Sequence, residues 1–199
     1  AIREGNRLST VGFTVVEDLL RCARARAGKL VLDGKPLTSE RVQSAIETAI
    51  LVAGGRSDDT IVAGGDQACD PHERGHGPLR PNQLIIVDIF HRVVKTGYFG
   101  DMSRTYLKGR ASDAQRKLVA TVKAAHASAI KAVHAGVDGR DVHGRVLETF
   151  DTAGYKTTHG KNGSTGFFHG TGHGLGLEVH EMPRISGAIS CPLPEGSVV

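Results

Sequence analysis

Hydrophobic residues recur at helical spacing in two stretches near the start of the chain. The first stretch predicts a helix from about Gly5 to Ala27, with an apolar face formed by Leu8, Val11, Val15 and Leu19. The second predicts a helix that Thr38 caps and Gly54 ends. Its apolar face follows the i, i+3, i+4 pattern and consists of Val42, Ala45, Ile46, Ala49, Ile50 and Ala53. Two amphipathic helices are therefore expected before the first strand.

Apolar runs after the second helix predict three strands, at about 60–63, 84–90 and 98–107. The middle run reads Leu-Ile-Ile-Val-Asp-Ile-Phe, which is typical of a strand buried on both faces. Lys95-Thr96-Gly97 can turn the chain between the last two strands. We therefore expect an antiparallel hairpin there.

The same order recurs in the second half of the chain. Ser112 and Gln115 form a capping box before a helix that reaches about Val133. The next helix has an apolar face of Val142, Val146, Leu147 and Phe150, and 166–169 is expected to be a strand. The second helix of each half begins near 39 or near 139, which indicates a duplicated half-domain. We expect a single α+β domain with half-repeats of about 1–108 and 109–199.

The repeat also predicts that the last strands of the domain are missing at the end of the sequence. Pro81-Asn82 leads into the strand that carries Asp88, and Pro194-Glu195-Gly196 leads into the last three residues. If Gly196 corresponds to Asn82, the counterpart of Asp88 lies three residues beyond Val199. We therefore expect that the sequence ends inside a strand and that the domain lacks its last C-terminal strands. A natural C-terminus with a frayed edge strand is the alternative.

Composition narrows the class of protein. With 39% hydrophobic and 23% charged residues, the 199-residue chain suits a globular fold and has no apolar run of the ~18 residues that span a membrane. The 25 basic and 21 acidic residues are interspersed, which argues against nucleic-acid binding. Three widely separated cysteines argue against a disulfide framework and a thiolate zinc site. We expect a cytoplasmic protein that binds neither membranes nor nucleic acid.

Asp88 and Asp101 are the first candidates for chemistry. A carboxylate within the apolar strand at 84–90 needs a compensating arginine or metal ion. In the predicted hairpin Asp101 stands opposite Asp88 or diagonal to it, a few ångströms away. Two such carboxylates repel each other unless a divalent ion lies between them or one is protonated. The alternative is an Asp88–Arg104 ion pair with Asp101 on the surface.

A glycine-rich segment near the end of the chain carries three histidines, His169, His173 and His180. Four glycines between 170 and 176 allow the backbone to approach a ligand closely. Imidazole together with carboxylate suits Mn, Co, Fe or Zn. His180-Glu181 does not begin a zincin helix, because Pro183 interrupts it. The alternative is that these histidines only cap backbone groups.

The other histidines carry weaker signals. His72 precedes Asp88 by sixteen residues and can reach over the carboxylates, although taken alone it is better explained as a surface-loop residue. His76 is still more simply explained as a surface residue. Four further histidines are expected to be solvated on helix faces or in linkers: His126, His134, His143 and His159.

Together these segments resemble the pita-bread-fold metallopeptidases, which include methionine aminopeptidase, aminopeptidase P and prolidase, with creatinase as a metal-free relative. The matching pieces are Ile61–Gly65, Pro71-His72, Val87-Asp88, Gly100–Thr105 and His169–Pro183. The histidine segment is most similar to the aminopeptidase P and prolidase branch. The two aspartates are thirteen residues apart where most relatives have eleven, and an insertion of two residues preserves strand register.

The resemblance implies a role for each candidate. Asp88 would bind one metal ion, Asp101 would bridge two, and His173 would be the third protein ligand. His72 and His180 would act on the scissile carbonyl as catalytic and substrate-binding residues, and His169 would lie on the substrate side. Two further ligands, both glutamates, are expected beyond Val199, and relatives in this branch often carry an additional domain before the position of Ala1.

The expected function is that of a metal-dependent aminopeptidase or dipeptidase acting on short peptides, with a preference for Xaa-Pro bonds. The implied cofactors are two divalent ions, with manganese first and Co, Zn or Fe as alternatives. The resemblance leaves a homodimer open. Two other functions stay open: a non-catalytic binding module on the same fold, and a creatinase-like hydrolase of C–N bonds that needs no metal.

Overall fold

The computed structural model describes residues 1–161 and 163–199. Contacts within the chain define two compact units, one of residues 1–112 with 177–179 and one of residues 113–176 with 180–199. The division after residue 112 lies close to the boundary that the sequence repeat places at 108. Each unit has a helix pair and antiparallel strands, so the predicted α+β class is confirmed.

The first unit begins with a helix and a small sheet. Helix α1 spans Ile2–Cys22 and helix α2 spans Ser39–Val52. Between them lies a three-stranded antiparallel sheet of β1 (Arg24–Arg26), β2 (Lys29–Leu32) and β3 (Lys35–Pro36). The prediction that α1 continues to Ala27 is wrong, because Ala27 and Gly28 both adopt positive φ and turn the chain back on itself.

The main sheet of this unit is built around its longest strand, β6 (Ile85–Val93). Strands β4 (Gly55–Arg56) and β5 (Ile61–Gly64) pair with β6, and so does β7 (Phe99–Tyr106), all antiparallel. The backbone N–H of Gly97 donates to the Val93 carbonyl at 2.8 Å, which closes the turn between β6 and β7. The predicted hairpin is therefore confirmed.

Burial alternates along β6, so the two faces of the strand differ. The odd-numbered residues from 85 to 93 are buried, whereas the even-numbered ones, Asp88 included, are at most half-buried. The prediction of a strand buried on both faces is therefore wrong. Helices α1 and α2 contact this sheet, and their apolar residues join one core with its strands: Phe13, Val16, Leu20, Ile46, Ile50, Val62, Ile85, Val87 and Ile89.

The second unit has helix α3 (Asp113–Ala132) and helix α4 (Gly139–Thr152). Two short antiparallel pairs follow, β8 (Thr158–Gly160) with β9 (Gly163–Thr165), and β10 (Gly172–Gly174) with β11 (Glu181–Ile185). The strand expected at 166–169 is not formed. There the backbone of Phe167 instead bonds to the side-chain oxygen of Thr157, through its N–H at 3.1 Å and its carbonyl at 2.9 Å.

The same local pattern occurs in both units. Helices α2 and α4 begin 100 residues apart and have a side-chain cap from Thr38 and Asp138, respectively. The capping residue forms an isolated β-bridge with Pro78 in the first unit and with Pro192 in the second. One residue after each proline, a backbone N–H donates to the carbonyl of the residue before the cap. Leu79 donates to Leu37, and Leu193 donates to Val137. Asn82 and Gly196, which the sequence repeat aligns, both have positive φ.

Candidate functional site

The two aspartates of the first unit lie on the same face of the β6–β7 hairpin. Asp88 pairs across the ladder with Ser103, and Asp101 pairs with Phe90. Because side chains alternate along a strand, Asp101 and Ser103 share one face of β7, which makes Asp88 and Asp101 diagonal neighbours. Both are half-buried. The sequence predicted that the two aspartates stand either opposite or diagonal to each other, and the register shows the diagonal arrangement.

Ser103 is a contact of Asp88 that the sequence analysis missed. Its hydroxyl donates to Oδ1 of Asp88 at 2.5 Å. The sequence does indicate this contact, because side chains alternate along a strand and Ser103, two residues after Asp101, lies on the same face of β7. The alternative Asp88–Arg104 ion pair finds no support: Arg104 pairs across with Val87, on the opposite face, and its guanidinium lies 5.6 Å from the centroid of the Phe13 ring.

A close approach between α1 and β7 positions the strand that carries Asp101. A Cβ atom added at Gly5 would lie 2.8 Å from the Cα of Gly100, so the two backbones nearly touch. Next to this contact, the fully buried His91 donates from Nε2 to the Gly5 carbonyl at 3.0 Å. Burial lowers the pKa of His91, while the Gly5 bond and the charge of Asp101 oppose that shift.

His72 lies on an exposed turn after the short 3₁₀ helix at Gly65–Cys69. Its backbone N–H donates to Oδ1 of Asp70 at 2.9 Å, and its Nδ1 is 3.9 Å from the same oxygen. The side chain is 93% exposed. Its expected role at the substrate therefore stays a prediction. His76, also exposed, has its backbone held at both N–H and carbonyl by the Gln67 amide.

The histidine segment of the second unit is shaped by the β10–β11 pair. Gly172 pairs with Ile185 and His173 with Arg184, and the register then shifts so that Gly174 pairs with Glu181. A Cβ atom at Gly174 would lie 2.2 Å from the Met182 carbonyl oxygen, so only glycine fits this irregularity. Gly174 thus serves the tight packing of β10 on β11. Glu181 begins a strand, so the zincin helix that the sequence excludes is not formed.

His173 and His180 lie next to each other in this unit. Their ring centroids are 4.4 Å apart, and the rings are nearly perpendicular, at 87°. Nδ1 of His173 bonds to the Gly174 carbonyl at 3.1 Å, and Nδ1 of His169 bonds to the Gly170 carbonyl at 2.8 Å. A carbonyl only accepts, so each neutral ring carries its proton on Nδ1 and its lone pair on Nε2. That tautomer suits a metal ligand.

His143 is not solvated, contrary to the sequence expectation. It is buried at 9% exposure on α4, and its Nδ1 lies 2.8 Å from Oγ1 of Thr171, inside the histidine segment. Burial, and then the nearby His169, lower the pKa of His143. The other three histidines expected to be solvated, at 126, 134 and 159, are exposed.

The donor set fits divalent transition-metal ions, because it combines two neighbouring carboxylates with an imidazole in the Nε2 lone-pair tautomer. Asp88 and Asp101 belong to the first unit, and His173 belongs to the second. Within residues 1–161 and 163–199, no three or more His, Cys, Asp or Glu side chains form a group that could hold a metal ion. The convergence of all three ligands stays a prediction.

Comparisons with known proteins define the class. The Xaa-Pro dipeptidase of Lactobacillus delbrueckii subsp. lactis is 32% identical over 167 residues, covering 80% of this chain and 42% of that protein. A dipeptidase structure from Pyrococcus horikoshii OT3 is 31% identical with a TM-score of 0.77, covering 98% of this chain and 49% of that one. The prolidase structure from Pyrococcus furiosus reaches a TM-score of 0.81 at 23% identity, covering 98% and 52%.

These similarities show that the chain has the pita-bread fold. The pattern of metallopeptidase family M24 matches residues 1–199, and the chain belongs to that family. It spans about half the length of the relatives named above, from 42% to 52%. In the part of the chain that the structure describes, no helix is both long and apolar enough to cross a membrane.

Proposed function

We propose that this chain forms part of a metal-dependent exopeptidase that hydrolyses the N-terminal peptide bond of short peptides, with Xaa-Pro bonds preferred. Membership of family M24 supports a peptidase, and the name of the Lactobacillus relative supports the Xaa-Pro preference. The observation that carries the proposal is the placement of Asp88 and Asp101 as diagonal neighbours on one face of the hairpin. Such a carboxylate pair is most stable when a cation lies between its members.

Asp88, Asp101 and His173 are the proposed ligands, with Asp101 shared by two divalent ions. Their oxygen and nitrogen donors suit Mn first and also Co, Zn or Fe. Ions bound there would supply an activated water and polarise the peptide carbonyl. Ser103 holds Asp88 through its hydroxyl, and the Gly174 carbonyl holds His173 through Nδ1. The two glutamate ligands expected beyond Val199 stay a prediction.

The remaining histidines are proposed to handle the substrate. His180, whose ring lies against His173, would donate an N–H to the scissile carbonyl as negative charge develops on its oxygen. His72 would do the same from its exposed turn, and His169 would line the substrate side. An Xaa-Pro bond has no N–H on the leaving side, so a site that does not require that donor can accept proline.

The partners proposed for this function are short peptides, without nucleic acid or membrane, and a second copy of the chain is compatible with it. Cys22, Cys69 and Cys191 are all unpaired, as in a protein kept in a reducing compartment. We therefore retain the cytoplasm as the proposed location.

The test compares metal binding and hydrolysis in the full-length protein. Ala-Pro and Ala-Ala dipeptides are assayed with Mn²⁺ and after chelator treatment, and bound Mn²⁺ is measured by isothermal titration. We expect Ala-Pro hydrolysis that is lost with chelator and regained with Mn²⁺. Asp101→Asn should weaken Mn²⁺ binding by about 100-fold or more, since even residues outside the ligand set contribute 10–100-fold. Asp113→Asn, at an exposed helix start, is the matched control and should change neither readout.

Each rival function predicts a different result. Hydrolysis that survives metal removal would favour the creatinase-like chemistry. Absence of both Mn²⁺ binding and hydrolysis in the wild-type protein would favour a binding module. Full Ala-Pro activity in Asp101→Asn would refute the bridging role of Asp101.

A further inference from the structure

Helix α4 reaches the histidine segment through a side chain that the proposed function does not use. His143 is buried, and its Nδ1 lies 2.8 Å from Oγ1 of Thr171, which stands midway between His169 and His173. No other side chain is seen to bond to the Thr171 hydroxyl among the described residues. The contact therefore ties a rigid helix to the middle of the glycine-rich segment.

Thr171 is held from two sides. Its backbone N–H donates to the Ile185 carbonyl at 2.8 Å, which extends the pairing of β10 with β11 by one residue. Its hydroxyl meets His143 from α4. The backbone bond ties Thr171 to β11, and the side-chain bond orients the glycine-rich segment toward α4. Glycines flank Thr171 on both sides, so without such a contact the local backbone has unusual conformational freedom.

The His143 ring also touches the start of the histidine segment through Phe167. The two ring centroids are 5.9 Å apart, and Phe167 in turn lies 4.4 Å from the ring of His169. On another side, a Cβ atom at Gly187 would lie 3.3 Å from Cδ2 of His143. The ring is therefore confined by neighbours, and its Nδ1 is directed at one hydroxyl.

We propose that His143 is a positioning residue for the proposed metal ligand His173 and the substrate-side residue His169. It acts through the Thr171 hydroxyl and the Phe167 ring, and it touches neither metal nor substrate. The expected effect of His143 on catalysis rests on the proposed function. The expected effect on the rings of His169 and His173 does not. A simpler reading, in which His143 only fills space beside Phe167, predicts that shape alone matters and that the Nδ1 atom does not.

Two amide variants separate these readings because they place a nitrogen at different ring positions. In His143→Asn the side-chain amide occupies the place of Nδ1, next to Thr171, whereas in His143→Gln it extends toward the place of Nε2. A matching pair at the partner is Thr171→Ser, which keeps the hydroxyl, and Thr171→Val, which replaces it with a methyl group of similar shape. Thermal unfolding followed by circular dichroism checks that all four variants fold.

The main readout is the ¹⁵N NMR spectrum of the histidine rings in the full-length protein without added metal. We expect His143→Gln and Thr171→Val to shift the ring resonances of His169 and His173, whereas His143→Asn and Thr171→Ser leave them near the wild-type positions. In Mn²⁺ titrations the first two variants should bind about 10-fold to 100-fold more weakly, the range for residues that orient a ligand. The double variant His143→Gln/Thr171→Val should be no worse than either single one.

Equal spectra and equal Mn²⁺ affinities for His143→Asn and His143→Gln would overturn the positioning role, as would additive losses in the double variant. Failure of the proposed function looks different. In that case the ring resonances respond to the variants as described, while the wild-type protein neither binds Mn²⁺ nor cleaves Ala-Pro.

Discussion

The contact between Gly5 of α1 and Gly100 of β7 predicts that an alanine at position 5 is strongly destabilising. The added Cβ would lie 2.8 Å from the Cα and N atoms of Gly100 and 2.9 Å from the Phe99 carbonyl oxygen, where ordinary contacts begin at 3.4 Å. All three atoms belong to backbone, so helix and strand must separate by about half an ångström or more. Overpacking typically costs about 1–3 kcal/mol, and an obstruction made of backbone belongs at the upper end, about 3 kcal/mol.

Helix propensity opposes this loss, because alanine is favoured over glycine within a helix by about 1 kcal/mol. The expected net loss of unfolding free energy for Gly5→Ala is therefore about 2 kcal/mol. Gly12→Ala in the same helix should lose less, since its Cβ meets side-chain atoms of Ile89 and Ile46 that can move. Gly144→Ala in α4 has no atom within 4 Å of the new Cβ and should gain up to about 1 kcal/mol.

Urea unfolding followed by far-UV circular dichroism measures this series, with the midpoint and slope fitted together. The expected order of stability is Gly144→Ala, wild type, Gly12→Ala and then Gly5→Ala. A Gly5→Ala protein as stable as Gly144→Ala would refute the close approach of α1 and β7. Because Asp101 directly follows Gly100, Gly5→Ala should also weaken Mn²⁺ binding.

Further predictions concern pH and the support of Asp88. The pKa values of His91 and His143 are both lowered in the fold, so the unfolded chain binds protons first as pH falls. The unfolding free energy should decrease below about pH 6.5, by up to about 1.4 kcal/mol per pH unit for each histidine. His91→Gln should remove the contribution of His91 to this pH dependence, as measured by urea titrations at several pH values. Ser103→Ala removes the hydroxyl that donates to Asp88 and should weaken Mn²⁺ binding by about 10-fold or more by calorimetry, with Thr105→Ala on the same strand as the control.

Sequence patterns predicted the parts of the fold in which local signals agree. The cap at Thr38, the apolar stripe and the glycine after α2 placed that helix within a residue or two of its observed bounds. The turn before Tyr98 and the period of two placed Asp88 and Asp101 on one face of the hairpin. In these segments short-range chemistry decides the structure.

The errors arose where long-range packing decides. Arg24–Arg26 follow a helix and have good helix propensity, yet they pair with β2 because Ala27 and Gly28 form a turn. His143 contacts Thr171, twenty-eight residues further along, and no local pattern reports that partner. Similarly, the open face of β6 follows from which side α1 and α2 cover, and the composition of the strand does not contain that information.

The bridges that join each capping residue to a distant proline mark equivalent points in the two halves of the chain. Thr38 with Pro78, and Asp138 with Pro192, provide matching landmarks that do not depend on sequence similarity. The segment between the landmarks is longer in the second half, where it contains His169, His173 and His180. The substitutions Thr38→Asp and Asp138→Thr give each half the capping residue of the other. They test whether each half accepts that residue without loss of stability, as expected if both halves descend from one ancestral unit.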